Sequence, residues 1–206
     1  EGVLTKELAL PQQIDLLLLT QGLADHSHPP SLQLLPKNIT VIGSISASKV
    51  AKRLGFENVS ILKPQESKYV KDIRIEATSG APVPSLENGY ILEHNSGSLY
   101  IEPHGFLDMG VKQRPLAAVI TPVVNLKLPF AGKFIKGKDV LPELINKFSP
   151  LTILSSTVGG YSSFKGVLNN LIKLEGSIEK TQEIIPPEIR FINPEPEKKY
   201  SLKNFR

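Results

Sequence analysis

The stretch "IDLLLLTQGLADHSHPP", Ile14 to Pro30, decides how this chain is read, because it joins an apolar run to a histidine-bearing loop that prolines bring to a stop. Ile14 and Leu16 to Leu19 form a short aliphatic segment bounded by Pro11 and Gly22, the pattern of a strand buried on both faces. Beyond it, Asp25, His26 and His28 supply a carboxylate and two imidazoles within a few residues, donors that suit zinc, iron or manganese. Loop histidines beside an aspartate also serve as hydrogen-bonded braces, so spacing alone leaves both readings open. A further ligand has to come from a distant segment. "YIEPHG", Tyr100 to Gly105, ends a second strand in a histidine beside glycine, which makes His104 the candidate with Glu102 behind it. His94, between Glu93 and Asn95 at a hairpin tip, is expected in solvent and is set aside.

Composition narrows the chemistry. The 206 residues are enough for one large domain, and 40% hydrophobic, 21% charged and 6% aromatic content is that of a folded globular chain. A net charge of +4 from 24 basic and 20 acidic residues is too mild and too evenly spread to point to nucleic acid. With no cysteine, disulfides and thiolate-held zinc are excluded, and any metal must be bound by His, Asp, Glu or backbone oxygen. No stretch reaches the length of a membrane span. The opening Glu1-Gly2-Val3-Leu4 carries neither an initiator methionine nor a signal-peptide pattern, so residues are expected to be missing before it.

The hydrophobic patterning predicts an α/β first third. A brief helix at Pro30–Leu35 is followed by a strand at Ile39–Gly43, a helix at Ser46–Leu54 closed by Gly55, and a strand at Val59–Leu62. Asp72–Ala77 alternates, and Gly89–Glu93 and Ser98–Ile101 flank Asn95-Ser96-Gly97, which reads as an antiparallel middle with a hairpin. A buried strand at Leu116–Thr121, a lysine-rich loop from Pro122 to Lys138, a helix from about Asp139 to Phe148 and a strand at Leu151–Leu154 follow. Ser162 or Ser163 is expected to cap a helix running to about Glu175. The expected organisation is one domain over residues 1–184 and a Pro-rich, charged tail over 185–206 holding one strand at Ile189–Ile192.

The segment Ile14–Pro30 resembles the signature strand and loop of the metallo-β-lactamase superfamily, an apolar strand followed by Thr/Ser-His-x-His-x-Asp-His. The order of later parts is similar as well, down to a strand end at Tyr100–Gly105 like that family's H-x-G-D turn. The resemblance implies an α/β fold, the αββα sandwich with mixed sheets, here without its opening strands before the signature strand. An uncovered sheet edge would then await a protein partner. Aligned on Asp25 and His26, the two leading histidines of the motif fall on Gln21 and Leu23, and leucine cannot bind metal. Glu76–Gly80 and Ser155–Gly159 lack the remaining histidines, and His104 stands in place of the bridging aspartate.

Two readings follow from the resemblance. In the first the chain is a divergent metal-dependent hydrolase with one zinc or iron ion on Asp25, His26, His28 and His104, with Asp25 and His28 as the catalytic pair, acting on a small ester or phosphodiester. In the second it is an inactive scaffold or subunit that has kept the fold for protein assembly. The form "QG-x-x-DH-x-HPP" is similar to versions of the loop in photosynthetic organisms, which implies a plastid stroma or a cyanobacterial cytoplasm. Lys127, Lys133, Lys136 and Lys138, with Phe130 and Phe134 between them, are read as a solvated loop in preference to a basic lip for phosphates, and Gly159-Gly160 as a turn in preference to an anion cradle.

Overall fold

The computed structural model describes residues 2–4, 10–82, 84–129, 132–157, 162–164 and 171–202. In chain order its elements are β1 (Gly2–Leu4), β2 (Leu16–Leu19), α1 (Pro29–Gln33), β3 (Thr40–Gly43), α2 (Ile45–Arg53), β4 (Asn58–Ile61), β5 (Ser67–Val70), β6 (Ile73–Ser79), β7 (Asn88–His94) and β8 (Gly97–Ile101). There follow β9 (Ala118–Pro122), β10 (Asn125–Leu128), β11 (Gly132–Lys136), α3 (Gly137–Phe148), β12 (Thr152–Ser156), β13 (Ser162–Phe164), β14 (Lys173–Glu175), α4 (Ile178–Ile184) and β15 (Arg190–Ile192). They divide into two compact units, Leu10–His94 with Asp108–Val111, and Glu1–Ala9 with Asn95–Leu107 and Lys112–Arg206.

The first unit is layered. β2, β3 and β4 pair in parallel, as strands linked by helical crossovers must. Because side chains alternate across a strand, Leu17, Leu19 and Val41 face one core with Ala47, Ala51, Leu32 and Phe56 of the helical layer, while Leu16, Leu18 and Ile42 face another with Ile75, Ala77 and Tyr90. That second core lies against the antiparallel strands β5, β6 and β7. The leucine run is thus buried from both sides, as its composition demands. Ser44 caps α2 by accepting the Ala47 N–H at 3.3 Å, and Gly55, at φ +86°, ends the turn beyond it.

One buried tyrosine ties the two layers together. The Tyr90 hydroxyl donates to the Leu19 carbonyl at 2.9 Å and accepts from the Asn88 side-chain amide at 3.1 Å. Burial pushes its pKa well above the ordinary phenol value, so it donates at every physiological pH. Tyr90→Phe is expected to cost about 1–2 kcal/mol of unfolding free energy, since the Leu19 carbonyl loses a donor where water does not reach. Urea denaturation reads it directly, and a change within a few tenths of a kcal/mol would contradict this role.

In the second unit β8, β9, β12 and β15 run parallel to one another. Val123, Leu141, Ile153, Ile185 and Ile189 form one core with Ile145 and Ile178 of α3 and α4, while Ala118, Leu154 and Ile192 form another with Leu99 and Ile120. The strand expected at Ile189–Ile192 is present as β15. Two expectations are corrected here. The segment Pro122–Lys138 is no solvated loop: β10 pairs antiparallel with both β11 and β14. The helix expected from Ser162 to Glu175 is replaced at both ends, by β13, which pairs with β1, and by β14, while residues 165–170 lie outside the described residues, as do Gly159-Gly160.

Ion pairs explain why a lysine-rich segment forms strands. Lys127 donates to Glu175, and Lys133 reaches Asp139 at 2.7 Å and Glu175 at 3.2 Å. Asn125 donates to both carboxylates, at 2.8 and 3.3 Å. Lys136 lies 4.6 Å from the centre of the Phe106 ring. The Lys127 ammonium first, then Asn125 and Lys133, hold the Glu175 carboxyl down to about 2 from an ordinary 4.5. A depressed carboxylate contributes stability that is complete above its unfolded pKa and lost as pH falls through the folded value. Stability is therefore expected to drop between about pH 4.5 and pH 2, and Glu175→Gln to flatten that part of the profile. Urea midpoints against pH measure it, and identical profiles for both proteins would contradict the assignment.

Candidate metal centre

The histidine loop is fixed from three sides within the first unit. The Asn88 N–H donates to the Thr20 carbonyl at 3.0 Å, so β7 starts beside the end of β2. Gly22 lies against α2, its N–H donating to the Ser46 hydroxyl at 3.1 Å, and a Cβ placed there would be 2.7 Å from the Ser46 carbonyl oxygen. The buried Ser27 hydroxyl donates across the loop to the Gln21 carbonyl at 2.5 Å, and the N–H groups of His26 and Ser27 both donate to Leu23. His28 then stands at the N-cap position of α1 without a side-chain capping bond, and Pro29 and Pro30 supply its first turn with φ already set.

This scaffold brings Glu87, the residue before β7, to His26. Glu87 is fully buried, and its Oε1 lies 3.3 Å from Nδ1 of His26, whose side chain is 16% exposed. The same nitrogen is 3.0 Å from the Thr20 hydroxyl. A buried carboxylate beside a mostly buried imidazole is a donor pair that a divalent cation could use.

The residues singled out from sequence sort as follows. Asp25 adjoins the pair, its Oδ2 at 3.6 Å from Nε2 of His26, with a side chain 74% exposed. His28 is exposed, and its Nδ1 shares a hydrogen bond of 2.8 Å with the Ser31 hydroxyl. His94 is exposed as expected and lies 2.7 Å from Asp72. Gln21 is 1% exposed, and its side-chain oxygen has no hydrogen-bond partner among the described residues. Glu87 escaped sequence reasoning because it stands 61 positions from His26 and has no histidine beside it, as Glu102 has in His104.

His104 belongs to the second unit, on the loop after β8. The buried Glu102 carboxylate organises that loop through its backbone: it accepts the N–H groups of His104 at 3.2 Å and Phe106 at 3.0 Å, and that of Gly105 as well. The His104 carbonyl in turn accepts the Lys136 N–H at 2.9 Å. Gly105, at φ +74°, is in van der Waals contact with the start of α3, where a Cβ would be 2.5 Å from the Gly137 nitrogen. Glu102 thus supports His104 by holding its backbone.

Comparison with known proteins agrees with this fold. The pattern of the beta-lactamase superfamily domain matches residues 3–155. Among solved structures, the metallo-beta-lactamase fold protein YhfI from Bacillus subtilis superposes with a TM-score of 0.58 at 10% identity, over 87% of this chain and 75% of its own. An isothiocyanate hydrolase from Delia radicum gut bacteria gives 0.53 at 19% identity over 69% of this chain, and CmlA, a diiron beta-hydroxylase from Streptomyces venezuelae, 0.53 at 14% over 73%. This chain spans 62% of the isothiocyanate hydrolase and 37% of CmlA. A search of curated proteins finds no significant match.

Proposed function

Because the chain belongs to the beta-lactamase superfamily, we propose that it is a metal-dependent hydrolase with a mononuclear centre, in which His26 and Glu87 hold one zinc or iron ion. The separation of 3.3 Å between the His26 imidazole and the buried Glu87 carboxylate carries this reading. The donor set fits one ion and does not fit two, since Gln21 and Leu23 occupy the positions where the motif it resembles has histidines. Such an ion lowers the pKa of a bound water to near neutrality and polarises the bond to be cleaved. The Ser27 bond to Gln21 and the Gly22 bond to Ser46 hold the loop that carries His26, and Glu102 fixes the backbone that carries His104. Asp25 and His28, both exposed at the loop, are the groups placed to take up and return a proton.

The substrate class is a small ester or phosphodiester, in keeping with relatives of this fold that include an isothiocyanate hydrolase and a diphosphatase. The loop form also supports a plastid or cyanobacterial setting, and no helix among the described residues is long and apolar enough to cross a membrane. Protein loaded in turn with zinc, iron and manganese is expected to cleave members of an aryl ester and phosphodiester panel, to lose that turnover in His26→Ala and to keep it in His94→Ala. Absence of turnover with every metal would leave the second reading, an assembly scaffold, which the leucine at position 23 favours.

A further inference from the structure

Beside Gly22, the first unit carries a cleft of about 400 Å³ lined by three cations and an apolar wall. Ile45, Val50, Leu62, Pro64 and Leu86 form the wall, and no carboxylate lines it. Lys49 and Arg53 lie one turn apart on α2 and so share a face, and Lys63 follows β4. α2 reads ISASKVAKR, with three basic residues and no acid. Glu66 takes the Lys63 backbone N–H at 2.8 Å. Lys49, Arg53 and Lys63 all have exposed side chains and form no ion pair among the described residues. Elsewhere on this chain lysines that gather, such as Lys127 and Lys133, do so around carboxylates.

Unopposed cations around an apolar wall are complementary to an amphiphilic anion. Ile45 and Leu86 remain 50% and 47% exposed there, which a soluble surface tolerates more readily when something covers them. The volume falls in the range of small-molecule sites, about 300–1,000 Å³. Three cations exceed what one carboxylate needs and match a dianionic phosphate, whose oxygens an arginine fork engages in pairs. A smaller cleft of about 240 Å³ shares Gly22, Val50 and Arg53 with the first, giving room beside the guanidinium. We infer that this cleft binds a phosphate monoester carrying an apolar body, at a site whose lining includes neither His26 nor Glu87.

Isothermal titration calorimetry of the full chain with octyl phosphate tests this. One equivalent is expected to bind, with octanol, octanoate and inorganic phosphate each about tenfold weaker or worse. The double variant R53Q/K63Q is expected to weaken octyl phosphate about tenfold, as is Leu86→Glu, while circular dichroism remains unchanged. His26→Ala is expected to bind octyl phosphate as the parent does. Octanol binding as tightly, no loss in R53Q/K63Q, or loss in His26→Ala would each overturn the inference, the last by assigning the phosphate to the metal group instead.

Discussion

Gly137→Ala is expected to lower the unfolding free energy by about 3 kcal/mol, or about 6–12 °C in Tm for a chain of this size. The cause is steric and leaves little room for relief. A Cβ at this position would be 2.2 Å from the Pro122 carbonyl oxygen and 2.3 Å from its carbon, both backbone atoms at the end of β9. Gly105 is stacked on the same point from the other side, with its own added Cβ 2.5 Å from the Gly137 nitrogen. Two glycines therefore let the end of β9, the first residue of α3 and the loop carrying His104 meet backbone to backbone. Gly55 is the contrasting case: its φ is positive, +86°, as that of Gly137 is not, but an added Cβ meets nothing within 4 Å, so Gly55→Ala should cost only about 1 kcal/mol from the left-handed backbone. A loss at position 137 no larger than that at position 55, measured by urea denaturation, would show that the close contact with Pro122 does not set the cost.

Glu87→Gln should abolish high-affinity metal binding, weakening it about 100-fold or more, while leaving the fold in place. Glutamine matches the volume of the buried side chain, so the packing at the start of β7 is retained. It removes the charge that makes the carboxylate a ligand for a divalent cation, and the His26 imidazole alone, 3.3 Å away, cannot replace it. Zinc titration against a chelator of known affinity measures the change, and the urea midpoint of the apo variant verifies the fold. A glutamine variant that binds zinc as the parent does would assign Glu87 to a purely bracing role against His26.

Elements with strong burial requirements were legible in the sequence: the leucine run of β2, the capped helix α2 ending near Gly55, β9 and β12 with their aliphatic residues, and β15 in the proline-rich end. Those whose pairing depends on distant charges were not. Lys127 and Lys133 look like solvated residues until Glu175 and Asp139 arrive to neutralise them, and β10, β11 and β14 then form together. β5, reading Ser67-Lys68-Tyr69-Val70, is mostly exposed and has no burial pattern to betray it. At the candidate site Asp25, His26 and His104 were visible as chemistry, because donors cluster at strand ends. Glu87 was not, since its partnership with His26 is created by one backbone bond, from Asn88 to Thr20, and by the Tyr90 hydroxyl that fixes β7 to β2.

Elemental analysis of the purified chain after incubation with zinc, iron and manganese bears most directly on the proposed centre. One equivalent of a single metal, falling to none in both His26→Ala and Glu87→Gln, is the predicted result. Two equivalents in the parent protein, or one that persists in either variant, would contradict it, and no bound metal under any loading condition would remove the centre altogether.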